Sequence, residues 1–193
     1  EHFSYLSLTA VTRIFDRNGL QIFDVQEIPT HGGSLRVFAQ CKDAGKHMIT
    51  AAVETLIAYE AAAGMKTEQY YADFQQRANR IKHALLAFLI KSKRQGKKVM
   101  AYGAAAKGNT LLNYAGVRPD LLPFVVDRNP AKQGKYMPGS RIPVVAESCL
   151  SKEKPDYILI LPWNLRTEIT EQLAYVREWG GQFVTSVPAL KVG

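Results

Sequence analysis

Apolar residues alternate with polar ones in two neighbouring runs near the start of the chain. The runs cover residues 20–25 and 34–39, and a segment rich in Pro and Gly, residues 29–33, separates them. Alternation on both sides of such a turn predicts a β-hairpin. A helical spacing over residues 6–18, closed by Gly19, predicts a short helix before it. Because one helix and one hairpin cannot close a core, we expect this segment to pack on protein outside the sequence.

The apolar pattern becomes helical in the next part of the chain. An Ala-rich segment, residues 48–63, ends at Gly64, and residues 67–95 have apolar side chains at spacings of three and four. Thr67 suits the cap position of this second helix, with Glu68 in its first turn. We therefore predict a long helix over 67–95 that bridges the parts of the chain on either side.

Strand-like and helix-like segments alternate from residue 97 onward. Strands are predicted at residues 99–102, 122–126, 142–145, 157–161 and 183–186, and helices at 107–114, 147–151 and 165–179. The nearly continuous apolar runs are typical of parallel strands covered on both faces. This pattern predicts a doubly wound α/β domain with a mainly parallel sheet. The whole chain then divides into residues 1–42, 43–96 and 97–193.

The composition of the chain narrows the classes of protein to which it can belong. Of 193 residues, 47% are hydrophobic and 22% are charged, which is typical of a globular protein. No apolar segment is long enough for a secretory signal or a membrane span, so we expect a soluble, cytoplasmic protein. Cys41 and Cys149 stand far apart in no ligand spacing, so we expect free thiols and no metal site.

The net charge of +8 raises the possibility of nucleic-acid binding. However, the densest basic run, residues 91–98, falls where the long helix should end, and cations there complement the helix dipole. No aromatic residues are interleaved with it for stacking on bases. We therefore expect a solvated helix end and no nucleic-acid partner.

The strongest chemical signal follows the strand at 99–102. There, Gly103 and three alanines lead into a helix start with Lys107 and Gly108, and the next strand ends on Asp127. Small residues let backbone N–H groups approach a ligand, a helix start favours anions, and an acid after the second strand can bind a ribose or sugar hydroxyl. A nucleotide or another phosphate-bearing ligand is the prediction.

This loop does not meet the strict dinucleotide fingerprint. Ala101 stands in place of its first glycine and Ala106 in place of its third. The alternative is that Gly103 and Gly108 permit a tight turn and that Asp127 caps or pairs locally.

Three loops should meet at the carboxyl ends of the parallel strands, where ligands bind in such sheets. They comprise residues 103–110, 127–130 and 162–166. In these loops cationic side chains could pair with phosphate oxygens and amides or hydroxyls could donate to them, while Asn164 could instead cap the following helix and Trp163 could pack at a domain interface. The candidate substrate-binding residues are Gly103, Lys107, Gly108, Asn109, Thr110, Asp127, Arg128, Trp163 and Asn164.

Glu1 and His2 form a carboxylate–imidazole pair at the start of the chain. An imidazole titrates close to neutral pH and can act as a general base. From the residues alone, catalysis and an incidental terminal pair both stay open.

Long runs of this chain resemble the S-adenosylmethionine-dependent sugar C-methyltransferases, which act on nucleotide-linked deoxy-keto-sugars. The matching runs are E-H-F-S-Y-L-S at the start, H-G-G-S-L-R-V at 31–37, Y-G-A-A-A-K-G-N-T-L-L-N-Y at 102–114, V-V-D-R-N-P-A-K-Q-G at 125–134 and P-D-Y-I-L-I-L-P-W-N-L at 155–165. The resemblance is to the carboxyl-terminal part of that family. It extends over nearly the whole chain.

The resemblance implies a domain organisation. Residues 1–42 would be the last helix and hairpin of a truncated methyltransferase domain, residues 43–96 a helical bridge, and residues 97–193 a Rossmann-like substrate-binding domain. The missing amino-terminal methyltransferase domain would be a partner and would hold most of the S-adenosylmethionine site. Zinc would be bound by a missing amino-terminal piece, with no zinc here.

The resemblance also implies a reaction. A proton would leave the carbon next to a keto group, and the resulting enolate would attack the sulfonium methyl group. His2 would be the base and Glu1 would orient it or hold the sugar, while the carboxyl-terminal domain would bind the nucleotide sugar. The fragment by itself would be inactive.

Two other functions fit weaker signals. The spacing from Gly103 to Asp127 is compatible with an NAD(P)-dependent oxidoreductase, although the broken fingerprint counts against it. A non-enzymatic nucleotide-binding or oligomerisation module is the other alternative.

Overall fold

Residues 4–193 are described by the computed structural model, and the chain divides into two units between Phe74 and Gln75. The division falls inside the predicted helical bridge of residues 43–96. Each unit has a hydrophobic core of its own.

The first unit contains the predicted hairpin. Its elements are α1 (Leu8–Arg17), β1 (Leu20–Ile28), β2 (Ser34–Cys41) and α2 (Ala51–Ala62). β1 and β2 pair antiparallel from Leu20 opposite Cys41 to Ile28 opposite Ser34, which confirms the hairpin. Its core consists of Leu8, Ile22, Val25 and Val53, all buried.

A buried carboxylate joins the two helices of this unit. The backbone N–H groups of Leu8 and Thr9 donate to the two oxygens of Glu60 at 2.6 and 2.7 Å. Glu60 is only 4% exposed. Since the first N–H groups of a helix lack acceptors within it and favour a negative charge, Glu60 fixes the start of α1 against α2.

The long helix begins later than the sequence predicts. α3 runs Phe74–Arg94, whereas residues 68–70 form a separate 3-10 turn. The Thr67 hydroxyl donates to Gly64 O at 2.7 Å and caps no helix. The Tyr71 hydroxyl also bonds back, to Met65 O at 2.9 Å. These local contacts stabilise successive turns before α3, so the predicted start at residue 67 was wrong.

The second unit is built on a mainly parallel sheet, as predicted. Its strands are β3 (Val99–Tyr102), β4 (Val125–Val126), β5 (Val144–Val145), β6 (Tyr157–Ile160), β7 (Gln182–Thr185) and β8 (Lys191–Val192). Their order is β5-β4-β3-β6-β7-β8, and all neighbours are parallel except β7 and β8. The sequence did not predict β8.

Helices cover both faces of this sheet. Val99 and Ala101 pack in a core with α3 and with α4 (Ala106–Ala115). Met100 and Tyr102, the alternate residues of β3, pack on the other face with α5 (Ser148–Glu153) and α6 (Arg166–Gln172). The unit is therefore a doubly wound, Rossmann-like α/β structure.

The predicted helix over 165–179 is broken in two. α6 ends at Gln172, and residues Ala174–Trp179 continue as a 3-10 helix. Leu173 N–H bonds to Ile169 O, whereas Val176 N–H bonds to Leu173 O, so the spacing tightens at this point. The Trp179 indole then donates to Pro155 O at 3.1 Å. Both Leu173 and Val176 are buried, so packing outweighs helix continuity here.

The order of strands reverses beside β3. The chain passes from β3 to β4 and β5 on one side, and returns to β6 and β7 on the other. In open α/β sheets such a reversal opens a crevice outside the carboxyl ends of the strands. Here it lies outside β3 and β6.

Two glycines set how closely the crevice walls approach. A Cβ added to Gly108 of α4 would lie 2.5 Å from Leu161 Cβ, and one added to Gly103 would lie 2.6 Å from Pro162 Cδ. Gly103 also has a φ of +88°. These glycines therefore let α4 and its preceding loop pack directly on the end of β6.

Gly108→Ala should lower the stability of the second unit. Alanine in a helix interior ordinarily gains about 1 kcal/mol over glycine, but here its methyl group overlaps Leu161 Cβ, and overpacking costs about 1–3 kcal/mol. Urea unfolding followed by tryptophan fluorescence measures the change, since both tryptophans, Trp163 and Trp179, lie in this unit. A gain in the free energy of unfolding would contradict the close packing.

Candidate functional site

The start of α4 forms one wall of the crevice. Ala105 occupies the cap position in an extended conformation, and within residues 4–193 no side chain caps this helix end. The first N–H groups of a helix have no acceptor in the helix itself, and they point out of its end together with the positive end of the dipole. This wall therefore favours an anion.

Asp127 holds the loop that leads into α4. Its Oδ2 accepts a hydrogen bond of 2.7 Å from Ala104 N and one of 3.1 Å from Lys132 Nζ, and its Oδ1 accepts one of 2.8 Å from Asn129 N. Asp127 is 8% exposed. The carboxylate thus pairs with its neighbours, which agrees with the alternative hypothesis that Asp127 caps or pairs locally. A contact between Asp127 and a ligand stays a prediction.

The structure brings together two candidates from different loops. Lys107 Nζ lies 5.7 Å from the centre of the Trp163 ring, a cation–π distance. Lys107 is in the first turn of α4, and Trp163 opens the 3-10 turn after β6. A cation and an aromatic face therefore flank the crevice.

Other candidates from these loops bond within their own helix or stand exposed. Asn109 Oδ1 accepts from Asn113 Nδ2 at 3.3 Å, and Thr110 Oγ1 donates to Ala106 O at 3.2 Å. Asn164 is exposed and does not cap α6, whose cap position is Leu165. Ligand contacts by these side chains stay predictions.

Arg128 belongs to a polar cluster that the sequence did not reveal. Its Nε lies 3.7 Å from Glu147 Oε2, which also accepts hydrogen bonds from the Tyr102 hydroxyl at 2.9 Å and from Gln172 Nε2 at 3.1 Å. Gln172 Nε2 also donates to the Tyr102 hydroxyl. The cluster fixes Glu147 on the α5/α6 face of the sheet, and so gives the exposed Arg128 a partner after β4.

Burial raises the pKa of Tyr102, and the hydrogen bond and negative charge of Glu147 raise it further. Burial, followed by the charge of Glu147, likewise raises the pKa of Tyr175. Both phenols therefore stay protonated at neutral pH, and the Tyr102 hydroxyl acts as a donor to the carboxylate.

A groove of about 410 Å³ lies at the opposite edge of the sheet, near the amino ends of β3 and β4. Apolar side chains form much of its wall. The lysines on its rim are already engaged: Lys93 Nζ with Asp120 O at 2.7 Å, and Lys98 Nζ with Glu153 Oε2 at 3.1 Å. We place the candidate site in the crevice because the helix start and the polar loops meet there.

Comparison with known proteins decides the family. The family model described as C-methyltransferase C-terminal domain matches residues 29–188. This chain is a member of that family. It is 36% identical over 192 residues to the C-methyltransferase NovU of Streptomyces niveus, a match that covers 100% of this chain and 46% of NovU. The chain thus spans less than half the length of that relative.

One solved structure shares a weaker likeness with this C-methyltransferase C-terminal domain. It is UDP-D-quinovosamine 4-dehydrogenase from Vibrio fischeri, with 17% identity and a TM-score of 0.40, covering 50% of this chain and 93% of that one. That likeness is too low to bear on function.

The remaining predictions for this C-methyltransferase C-terminal domain concern the catalytic pair, metal binding, membrane spans and the cysteines. Glu1 and His2 lie outside the described residues. Among residues 4–193, no cluster of three His, Cys, Asp or Glu side chains could bind a metal ion. Over the same residues, no helix combines the length and apolarity needed to span a bilayer. Cys41 and Cys149 are free thiols.

The residues that sequence reasoning missed are Lys132, Glu147 and Gln172. For Glu147 and Gln172, the one signal in the sequence was Tyr102 at the end of a buried strand, since a buried hydroxyl needs a hydrogen-bond partner. The partners themselves lie 45 and 70 positions from Tyr102 in sequence, beyond the reach of any local pattern.

Tyr102→Phe should change how stability depends on pH. Because the pKa of Tyr102 is raised by folding, the unfolded chain loses this proton first, near pH 10. The stabilisation from Tyr102 is complete below that pH and is lost as the pH rises towards the folded-state pKa. Between pH 8 and pH 11, we expect the urea midpoint to fall more steeply for the unaltered chain than for the variant. Parallel curves would contradict this pKa shift.

Proposed function

We propose that this chain is the nucleotide-sugar-binding part of an S-adenosylmethionine-dependent C-methyltransferase. The reaction would place a methyl group on the carbon next to the keto group of a nucleotide-linked sugar. The observation that supports it most is the crevice at the strand reversal. There, α4 starts without a side-chain cap from any of residues 4–193 and packs closely on the end of β6. Membership of the C-methyltransferase C-terminal domain family supports the reaction class.

The chemistry of the crevice fits a diphosphate. Backbone N–H groups at the start of α4 can donate to phosphate oxygens, and the helix dipole favours their charge. Lys107, in the same turn, adds a positive charge. Gly103 lets the loop before α4 pack against Pro162, so the start of α4 lies at the end of β6. Arg128, 3.7 Å from Glu147, would line the same crevice and pair with phosphate oxygens.

The methyl donor does not suit this crevice. S-adenosylmethionine has a sulfonium cation and no phosphate, whereas the helix start and Lys107 select for negative charge. We therefore propose that most of its site lies in an amino-terminal methyltransferase domain, which would be the partner of this chain. The 46% coverage of NovU is consistent with such a domain. We also place the zinc in a missing amino-terminal piece.

In this proposal His2 removes the proton from the carbon next to the keto group. The electron pair of that C–H bond forms an enolate, and Glu1 orients the imidazole or holds the sugar. The bound donor supplies an electrophilic methyl group: a new C–C bond forms while the C–S bond breaks, and the proton stays on His2 until solvent removes it. The crevice contributes by fixing the nucleotide end, so that the reacting carbon is held in place.

The division into residues 1–42, 43–96 and 97–193 is also part of the proposal. Residues 1–42 would complete the methyltransferase domain, residues 43–96 would bridge, and residues 97–193 would bind the nucleotide sugar. α1, β1 and β2 support the assignment of residues 1–42 to one domain because they share a small core with a short sheet, and Val53 of α2 also joins that core.

Isothermal titration of the 193-residue chain with thymidine diphosphate tests the binding half of the proposal. We expect saturable binding of the diphosphate and none of S-adenosylmethionine or NADH. Lys107→Met should weaken binding by about tenfold, since a charge-assisted hydrogen bond is worth about 1.5–3 kcal/mol. Lys93→Met, the same change at the opposite edge, should leave it unaltered. Selective binding of NADH would favour an oxidoreductase instead.

Substitution of the predicted base tests the catalytic half. In the full-length enzyme, His2→Gln should lower kcat by about 10²–10⁴-fold, the range for loss of a general base. KM for the nucleotide sugar should change little, because binding is assigned to other residues. Transfer of the methyl group from labelled S-adenosylmethionine gives the rate. An unchanged kcat would remove His2 from the mechanism.

A further inference from the structure

We infer that Lys132 is a positioning residue for the anion-binding crevice, because it neutralises Asp127 and fixes the backbone of Ala104 at the start of α4. This inference rests on the proposed function, since it concerns how the same crevice accepts a diphosphate. Lys132 comes after β4 and was not among the residues singled out from the sequence.

The contacts of Lys132 converge on the backbone of one residue, Ala104. Its Nζ donates to Ala104 O at 2.9 Å and to Asp127 Oδ2 at 3.1 Å, while Ala104 N donates to the same Oδ2 at 2.7 Å. Both the carbonyl and the N–H of Ala104 are therefore bound by one ion pair. Ala104 lies between Gly103 and the first residues of α4, so this ion pair sets where the helix begins.

The segment around Lys132 is itself fixed. Asn129 Oδ1 accepts from Ala131 N at 3.0 Å, Lys132 N donates to Asn129 O at 3.0 Å, and Gln133 Nε2 donates to Asp127 O at 2.9 Å. The backbone on both sides of Lys132 is thus tied to the turn after β4. Two acceptors, Ala104 O and Asp127 Oδ2, hold the ammonium group, while the side chain is 43% exposed.

Charge gives Lys132 a second role. The Asp127 side chain is 11% exposed and sits beside the loop that would receive a diphosphate. An unpaired carboxylate there would repel the ligand, whereas a paired one is close to neutral. Lys132 therefore allows Asp127 to hold the loop without weakening anion binding.

A direct contact between Lys132 and the ligand is the competing explanation, and a double variant separates the two. Asp127→Asn keeps an oxygen that can accept from Ala104 N and removes the negative charge. If Lys132 acts by neutralising Asp127, adding Asp127→Asn to Lys132→Met should restore much of the affinity. If Lys132 binds the phosphates itself, the double variant should bind no better than Lys132→Met.

The test titrates thymidine diphosphate into four forms of the 193-residue chain: unaltered, Lys132→Met, Lys135→Met, and Lys132→Met with Asp127→Asn. Lys135 lies in the same turn and is exposed, so Lys135→Met is a matched loss of charge. We expect about tenfold weaker binding for Lys132→Met, unaltered binding for Lys135→Met, and recovery to within about threefold for the double variant. Equal affinity of Lys132→Met and the unaltered chain would overturn the inference, as would a double variant as weak as Lys132→Met.

Hydrogen exchange without ligand gives a second readout that does not depend on the proposed function. Lys132→Met should speed exchange of the Ala104 amide and its neighbours in residues 103–106, while Lys135→Met should not. If the unaltered chain fails to bind the diphosphate, the proposed function fails for this chain and exchange alone decides the role of Lys132. Unchanged exchange at Ala104 would then overturn it, and faster exchange would support it.

Discussion

The absence of a side chain at Gly108 is the constraint on which the crevice depends. A single methyl group there would overlap Leu161 Cβ, so α4 can lie this close to β6 only with glycine at that position. The close approach brings the first turn of α4, with Lys107, to the carboxyl edge of the sheet beside Trp163. The reversal of strand order next to β3 leaves that edge open. The start of α4, which favours an anion, therefore lies at an accessible crevice.

Two ion pairs flank this edge, and in each an acid holds structure while a cation offsets its charge. On one face, Asp127 binds the loop before α4 and pairs with Lys132. On the other, Glu147 accepts from Tyr102 and lies near Arg128. Because both acids are paired with cations, the positive end of α4 sets the sign of charge that the crevice favours. That sign agrees with a diphosphate-bearing substrate and disfavours a sulfonium, which is why the proposal separates nucleotide-sugar binding from methyl-donor binding.

Sequence patterns predicted the elements that carry a clear apolar pattern. β3 agrees residue for residue, because an unbroken apolar run leaves few other choices. The hairpin was also correct, although β1 has a register shift between Ile22 and Asp24 that the alternation did not predict. The start of α3 was missed because the Thr67 and Tyr71 hydroxyls bond back to nearby carbonyl groups and stabilise turns in place of a helix. The break after α6 was missed because a long-range contact, from Trp179 to Pro155, accompanies it. At the candidate site, the sequence predicted which loops lie at the carboxyl edge of the sheet, but not which side chains hold them. Lys132 and Glu147 reach Ala104 and Tyr102 only through the fold, and the local pairing of Asp127 was no more than an alternative.

Mapping a bound nucleotide onto the chain shows whether the crevice outside β3 and β6 is the binding site. Backbone amide shifts of the ¹⁵N-labelled 193-residue chain, recorded during titration with thymidine diphosphate, report which loops meet the ligand. We expect the shifts to concentrate in residues 103–110 and 162–166, with smaller changes at 127–130 where the ion pairs lie. Shifts concentrated instead at residues 93–98 and 120–124, at the opposite edge of the sheet, would contradict binding in the crevice.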